Sequence, residues 1–159
     1  MCWFVFLHVR FVNAHLSAHA GYCERRICDF KHIVSTLLFS PTPTSARKGY
    51  STLYDTSHLF FLGDLNFRLN IPATHEFAAK SNRLKLLESL ETDAQREALK
   101  EFDELYIEKN KGNVFVGFRE GEFWRFKCTY KYKLHEVDRY KYVDRLMFRI
   151  LVLRQISIQ

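Results

Sequence analysis

The sequence predicts a layered α/β or α+β fold, and three observations carry that prediction. Apolar runs rich in aromatic and β-branched residues, bounded by turn formers, read as strands. Stretches with apolar residues three or four apart read as helices, and the two kinds of segment alternate along the chain. The composition supports a packed core: 47% of the 159 residues are hydrophobic and 16% aromatic, with only six Gly and three Pro. Those proportions exclude a disordered, collagen-like or low-complexity chain. The length suits a single domain of roughly 100–200 residues.

Taken in order, Trp3–Val12 reads as a buried strand because it is aromatic and β-branched. From Cys23 to Phe39, Ile27, Phe30, Val34 and Leu37/Leu38 share one helical face, with Arg25, Arg26, Asp29 and Lys31 largely off it. Pro41 and Pro43 stop that helix, and the Ser/Thr-rich stretch to Thr56 reads as a surface loop. Ser57-His-Leu-Phe-Phe-Leu62 is a short apolar run closed by Gly63-Asp64, the pattern of a buried strand with a polar exit. Residues 74–108 are helical in pattern. Phe77, Leu84, Leu87 and Leu90 suit one helix, and Leu99, Phe102 and Tyr106 a second. Between them, Thr92 and Gln95 have the spacing of a capping box. Lys109–Gly112 ends the second helix. Val114–Phe118 and Glu122–Phe126 read as short strands, and the tail from Tyr142 fits strand or helix equally.

The four cysteines, Cys2, Cys23, Cys28 and Cys128, form no C-x-x-C pair and fit reduced intracellular thiols. The apolar start lacks a basic leader and is broken by His8, Arg10 and Asn13, so it reads as a strand and not as a signal peptide. It is also shorter than the roughly 20 residues a membrane helix needs. The expected location is cytoplasmic, with peripheral membrane contact. Net charge is +6, divided as +4 over residues 1–50, −3 over 51–118 and +5 over 119–159. Two cationic ends could face a phosphate group; on charge alone a solvated surface is the simpler reading.

Three islands carry chemistry. Phe11-Val-Asn-Ala-His-Leu-Ser-Ala-His19 is a strand ending in two histidines. Phe60-Phe-Leu-Gly-Asp-Leu-Asn-Phe-Arg68 is an apolar strand ending in Gly-Asp-x-Asn. The third, Phe118 to Tyr132, mixes aromatic and cationic side chains. A carboxylate at a strand end can orient or deprotonate water, and an amide two residues on can donate to a phosphoryl oxygen. A strand-end His could donate to another oxygen, and Lys131 with its flanking tyrosines to a second phosphate. Taken singly, Gly-Asp-x-Asn is an ordinary turn and Tyr130-Lys131-Tyr132 a half-exposed strand. Likewise a lone His15 or His19 is usually structural. The combination and its order give the islands their weight.

That combination resembles the catalytic domain of the inositol polyphosphate 5-phosphatases, in the endonuclease/exonuclease/phosphatase superfamily. The family's Asn-Ser-His-Leu-x-x-His looks like Asn13-Ala-His-Leu-Ser-Ala-His19, and its Arg-Arg and Asp-aromatic pattern like Glu24-Arg-Arg26 and Asp29-Phe30. Its Trp-Leu-Gly-Asp-Leu-Asn-Tyr-Arg looks like Phe61-Leu-Gly-Asp-Leu-Asn-Phe-Arg68. Its Phe-x-Glu-Gly-x-x-x-Phe and Pro-Thr-Tyr-Lys-Tyr look like Phe118 to Tyr132. The clear match runs from about residue 11 to 132, and residues 133–159 diverge.

The resemblance implies an α+β fold: a β-sandwich with flanking helices in four layers, α/β/β/α, of which this chain holds a part that is incomplete at both ends. It implies hydrolysis of the 5-phosphate of phosphoinositides or soluble inositol phosphates with Mg²⁺, on a phosphoric monoester. Asp64 would orient and help deprotonate the attacking water, Asn66 would bind the scissile phosphate, and His15 would stabilise its developing charge. Tyr130 and Lys131 would contact the neighbouring 4-phosphate. Arg68, Arg25 and Arg26 lie in family-like substrate-side positions with supporting or structural roles. No nucleic-acid partner is expected.

The departures are specific. Ala14 stands for the usual Ser, and Cys128 for the Pro before Thr-Tyr-Lys-Tyr. The strand-end Asn and the Mg²⁺-ligating Glu that the family carries ahead of Phe11 are absent, so no metal ligand is assigned within the chain. The family's terminal Ser-Asp-His is absent as well, and Tyr142-Val-Asp-Arg-Leu-Met-Phe148 only echoes a Trp-x-Asp-Arg segment. Three readings stay open: a 5-phosphatase family product of which this chain is a truncated form inactive alone, an inositide-binding module without turnover, and a nuclease of the superfamily. A partial sandwich is also expected to expose sheet edge and core face, favouring aggregation.

Overall fold

Two strands, β1 (Val9–His15) and β4 (His58–Asp64), run parallel and in register from Val9 opposite His58 to His15 opposite Asp64. They are the two longest strands of the computed structural model, which describes residues 8–41, 49–75, 78, 92–122, 125, 133–136 and the backbone of 154–157. The order of elements between and after them is α1 (Cys23–Thr36), β2 (Leu38–Phe39), β3 (Ser51–Thr52), then α2 (Asp93–Ala98), α3 (Glu104–Asn110), β5 (Arg119–Glu120) and β6 (Arg154–Ser157). The main sheet has the order β1-β4-β6-β5, with β6 antiparallel to both neighbours; β2 and β3 form a separate antiparallel ribbon.

Alternation along the strands decides where the core lies. Val12, Leu59 and Phe61 are buried on one face, while Val9 and Phe11 on the other are 45% and 65% exposed. On the buried face, Ile27 and Phe30 of α1 join Val12, Leu59, Phe61, Phe115 and Phe118 in one apolar cluster. Its centre is aromatic: Phe30 lies 4.1 Å from Phe115 between ring centroids, and Phe61 meets Phe115 edge to face at 5.0 Å.

Several expected boundaries move. The first strand continues past Val12 to His15, because every residue up to that point pairs with β4; residues 3–7 lie outside the described part. Helix α1 stops at Thr36, ahead of the prolines. Its Ser35 and Thr36 hydroxyls both bond back to the His32 carbonyl, and Leu37 turns extended (ψ 113°). Leu38–Phe39, expected to end the helix, is instead a strand that pairs with Ser51–Thr52, inside the stretch expected to be a loop. Arg10 ties this ribbon to β1 by bonding Ser51 Oγ (2.5 Å) and the Thr52 carbonyl and stacking over Phe39 (4.2 Å).

The first of the two predicted helices, over residues 74–91, lies almost wholly outside the described residues. The second forms with its capping box intact: Gln95 N–H donates to Thr92 Oγ1 (3.3 Å) and Thr92 N–H to Gln95 Oε1 (3.1 Å). It is not continuous, however. A 3₁₀ turn at Leu99–Phe102 separates α2 from α3, and Asp103 is extended so that its carboxylate can accept the Tyr106 N–H (2.7 Å). Gly112, at φ +79°, ends α3 as the sequence implies.

Val114–Phe118 is not a strand. Val114 and Phe115 are consecutive and both buried, which a half-buried strand forbids, and Phe115 adopts φ +52°. A turn closed by Phe118 N–H on the Phe115 carbonyl (3.1 Å) drives Phe115 into the core. The strand begins only afterwards, at Arg119. Most of Glu122–Phe126 lies outside the described residues. Of the divergent tail, Arg154–Ser157 is strand, which settles part of the ambiguity in that direction. Among the described residues one main sheet is present, with α1 against it, and no helix is long and apolar enough to cross a membrane.

Candidate active site at the paired strand ends

The parallel register brings the carboxyl ends of β1 and β4 side by side, the place where α/β sheets present ligand-binding groups. Leu16 N–H extends the ladder by bonding the Asp64 carbonyl at 3.0 Å. Gly63 makes this approach possible. It sits at φ +123°, and a Cβ there would lie 2.1 Å from the Ala14 carbonyl oxygen. The Gly of the Gly-Asp-x-Asn motif is therefore required by contact with β1.

His15 and Asp64 are left facing one another, Nε2 to Oδ2 at 3.7 Å, with the histidine side chain 71% exposed and the aspartate 23%. That separation is an electrostatic contact when the imidazole is protonated, and too long for a hydrogen bond. The other aspartate oxygen, Oδ1, accepts Asn66 N–H at 3.3 Å, forming a local turn that fixes the carboxylate. The pair thus offers a base and an imidazole to solvent from a rigid sheet end.

Asn66 is placed differently from the phosphate-facing amide expected of it. It is buried in the left-handed region (φ +56°); its Nδ2 donates to the Leu16 carbonyl at 2.8 Å and its Oδ1 accepts Arg68 Nη2 at 2.9 Å. Both ends of the amide are used to hold the loop after β4 against the loop after β1. Arg68 is likewise buried, and its backbone N–H donates to Glu104 Oε2 at 2.9 Å.

Arg26 is fully buried, so it does not stand on the substrate side. Its Nη1 donates to the carbonyls of His19 (2.8 Å) and Ser17 (3.3 Å), its Nη2 pairs with Glu104 Oε2 at 2.5 Å, and its guanidinium lies 5.5 Å from the Phe67 ring. Arg25, next to it, is exposed on α1. Tyr130 and Lys131 lie outside the described residues.

Sequence reasoning missed two supporting groups. Glu104 has the charge of a surface residue, and the apolar spacing of Leu99, Phe102 and Tyr106 directed attention to the other face; burial of an ion pair leaves no periodic signal. Asp29 was noted only as part of a pattern. Its Oδ2 accepts Ser17 N–H at 2.9 Å, and bonding to Ser17 holds its carboxyl below the ordinary range. Nearby, burial together with Glu104 and Glu108 pushes the Cys23 thiol up to about 11, so it stays protonated at neutral pH.

A divalent ion needs more than this. Among the described residues no three His, Cys, Asp or Glu side chains converge, and one carboxylate beside one imidazole does not fit a Mg²⁺ site.

Two adjoining parallel strands thus end in a histidine and an aspartate within an α+β sheet, in the order of the motifs above. The chain belongs to endonuclease/exonuclease/phosphatase family 2, whose family model matches residues 6–158. It is similar to the type IV inositol polyphosphate 5-phosphatase 11 of Arabidopsis thaliana, with 30% identity over 148 residues covering 88% of this chain and 38% of that protein. It is also similar to the polyphosphatidylinositol phosphatase INP53 of Saccharomyces cerevisiae, 34% identical over 122 residues, 77% of this chain and 10% of that protein. Among solved structures, the inositol polyphosphate 5-phosphatase domain of SPsynaptojanin, crystallised with inositol (1,4)-bisphosphate and calcium, superposes with a TM-score of 0.58. The identity there is 22%, over 91% of this chain and 37% of that one, and it establishes the fold. The chain thus spans well under half the length of these relatives.

Proposed function

We propose that this chain carries part of the catalytic site of an inositol polyphosphate or phosphoinositide 5-phosphatase, a phosphoric monoester hydrolase. The observation that supports it is the His15–Asp64 pair at adjoining strand ends, 3.7 Å apart, on residues that match the family motif. Asp64, fixed by the Asn66 N–H, accepts the proton of the attacking water. Protonated His15 donates to a phosphoryl oxygen as negative charge builds there. Asn66 and Arg68 act from behind by shaping the loop, and Tyr130 and Lys131 contact the adjacent phosphate of the inositol ring. A divalent ion such as magnesium would supply neutralisation of phosphate charge, and its ligands would have to come from outside the described residues. The relatives' substrates support an inositide partner, met in the cytoplasm or at an anionic membrane surface.

The 159-residue chain turns over negligibly by itself, because the family's metal-ligating Glu and its Ser-Asp-His are absent from the sequence. Titrating labelled chain with inositol 1,4,5-trisphosphate tests both parts. Shifts of the His15 ring resonances without phosphate release are expected, and Asp64→Ala should weaken them. Robust Mg²⁺-dependent release from phosphatidylinositol 4,5-bisphosphate vesicles, abolished in Asp64→Ala, would sink the claim of inactivity. Absence of any response at His15, with nicking of plasmid DNA, would move the reading to a nuclease.

A further inference from the structure

We propose that Glu104, far from the strand ends in sequence, is a positioning residue for the His15–Asp64 site; this rests on the reading of that site given above. Glu104 is only 4% exposed, so it acts through its partners. Its Oε2 accepts Arg68 N–H (2.9 Å) and Arg26 Nη2 (2.5 Å), and its Oε1 accepts Asn70 Nδ2 (2.9 Å).

Those donors tie Glu104 to the two loops that leave the catalytic strands, two of them directly and Arg26 from helix α1. Arg68 and Asn70 lie on the loop after β4, which is also laced to the start of α3 by backbone: Glu104 N–H to the Arg68 carbonyl (2.9 Å), Asn70 N–H to the Phe102 carbonyl (2.8 Å) and a bridge between Leu69 and Asp103. Arg26 reaches on to the loop after β1 through the carbonyls of Ser17 and His19. From Arg68 the path continues through the Asn66 amide to the Leu16 carbonyl. One carboxylate therefore closes a ring of hydrogen bonds around both strand ends, and Asn66 N–H on Asp64 Oδ1 transmits its shape to the base. A neutral group of similar shape could accept from Arg68 N–H but would leave the Arg26 charge buried without a counter-ion.

The test uses the full ¹⁵N-labelled chain. The readouts are exchange of the Asn66 side-chain amide, identified by its loss in Asn66→Ser, and the His15 response to inorganic phosphate. Arg26→Met with Glu104→Leu removes both buried charges together. It should keep β1–β4 backbone protection, while Asn66 exchange accelerates and the phosphate response weakens, each about tenfold or about 1.4 kcal/mol. Glu104→Gln should accelerate Asn66 exchange about threefold. Leu105→Ala, which loosens the same helix outside the ring, should leave both readouts as in the parent. Unchanged Asn66 exchange in the folded double variant overturns the proposal, as does an equal effect from Leu105→Ala. If the double variant does not fold, parent-like exchange in Glu104→Gln overturns it. A parent chain without any phosphate response at His15 defeats the reading of the site, while Asn66 exchange still decides the positioning role.

Discussion

Gly63 and Gly112 both adopt positive φ, +123° and +79°, yet an added methyl group meets different surroundings at each. At Gly112 nothing lies within 4 Å of the added Cβ, so Gly112→Ala carries only the backbone strain of the left-handed region, about 1 kcal/mol. At Gly63 the same atom would fall 2.1 Å from the Ala14 carbonyl and 2.7 Å from Asn13 Oδ1, which are backbone and side chain of the partner strand. Relief requires the two catalytic strands to separate, so Gly63→Ala should cost about 3 kcal/mol or more. Urea midpoints of the two variants check this; equal losses would show that strand contact at Gly63 adds nothing to its φ. The motif glycine was legible in the sequence as a turn former, but its reason was not. Only the register of β1 against β4 shows that it is held by close approach of strand to strand.

Between elements, helix α1 is locked to the loop after β1 by Asp29 on Ser17 N–H at 2.9 Å, two residues beyond His15. The carboxyl is held below its ordinary value chiefly by bonding to Ser17, against a smaller opposing effect of burial. A depressed folded pKa means that the ionised form stabilises the fold above the unfolded pKa. That stabilisation fades as pH falls through the folded value. Stability should therefore decline below about pH 4–5, and Asp29→Asn, which keeps an acceptor without the charge, should show a shallower decline. Urea midpoints at several pH values measure it, and parallel curves for parent and variant would remove Asp29 from the acid response. Legibility differs among the elements for related reasons. The capping box at Thr92–Gln95 and the stop at Gly112 are local chemistry, visible in a few residues. The break at Asp103 and the buried turn at Phe115 are set by what lies across the fold, respectively Leu69 and the Phe30–Phe61 cluster. The Arg26–Glu104 pair joins residues on different elements, and no pattern of hydrophobic spacing records it.

At the scale of the molecule, the strand alternation that fills one face of the sheet leaves the other with apolar side chains. Phe11 is 65% exposed and stacks on Phe60 at a centroid distance of 5.0 Å, and Val9 beside it is 45% exposed. His15 and Asp64 lie on the same face by strand parity, at the end of this apolar stripe. Strand β1 also borders the sheet among the described residues, so the stripe adjoins an unpaired edge. Apolar surface of this kind drives association, and Phe11 contributes little to the fold because most of it already faces water. Phe11→Thr keeps a residue suited to a strand and removes the exposed ring. It should change stability by no more than about 1 kcal/mol, the value of an aromatic contact, while lowering dye binding to apolar surface and concentration-dependent light scattering. Sedimentation of parent and variant over a range of concentrations gives the deciding comparison. If association persists undiminished in Phe11→Thr, it proceeds through the strand edge and not through the face that also carries His15 and Asp64.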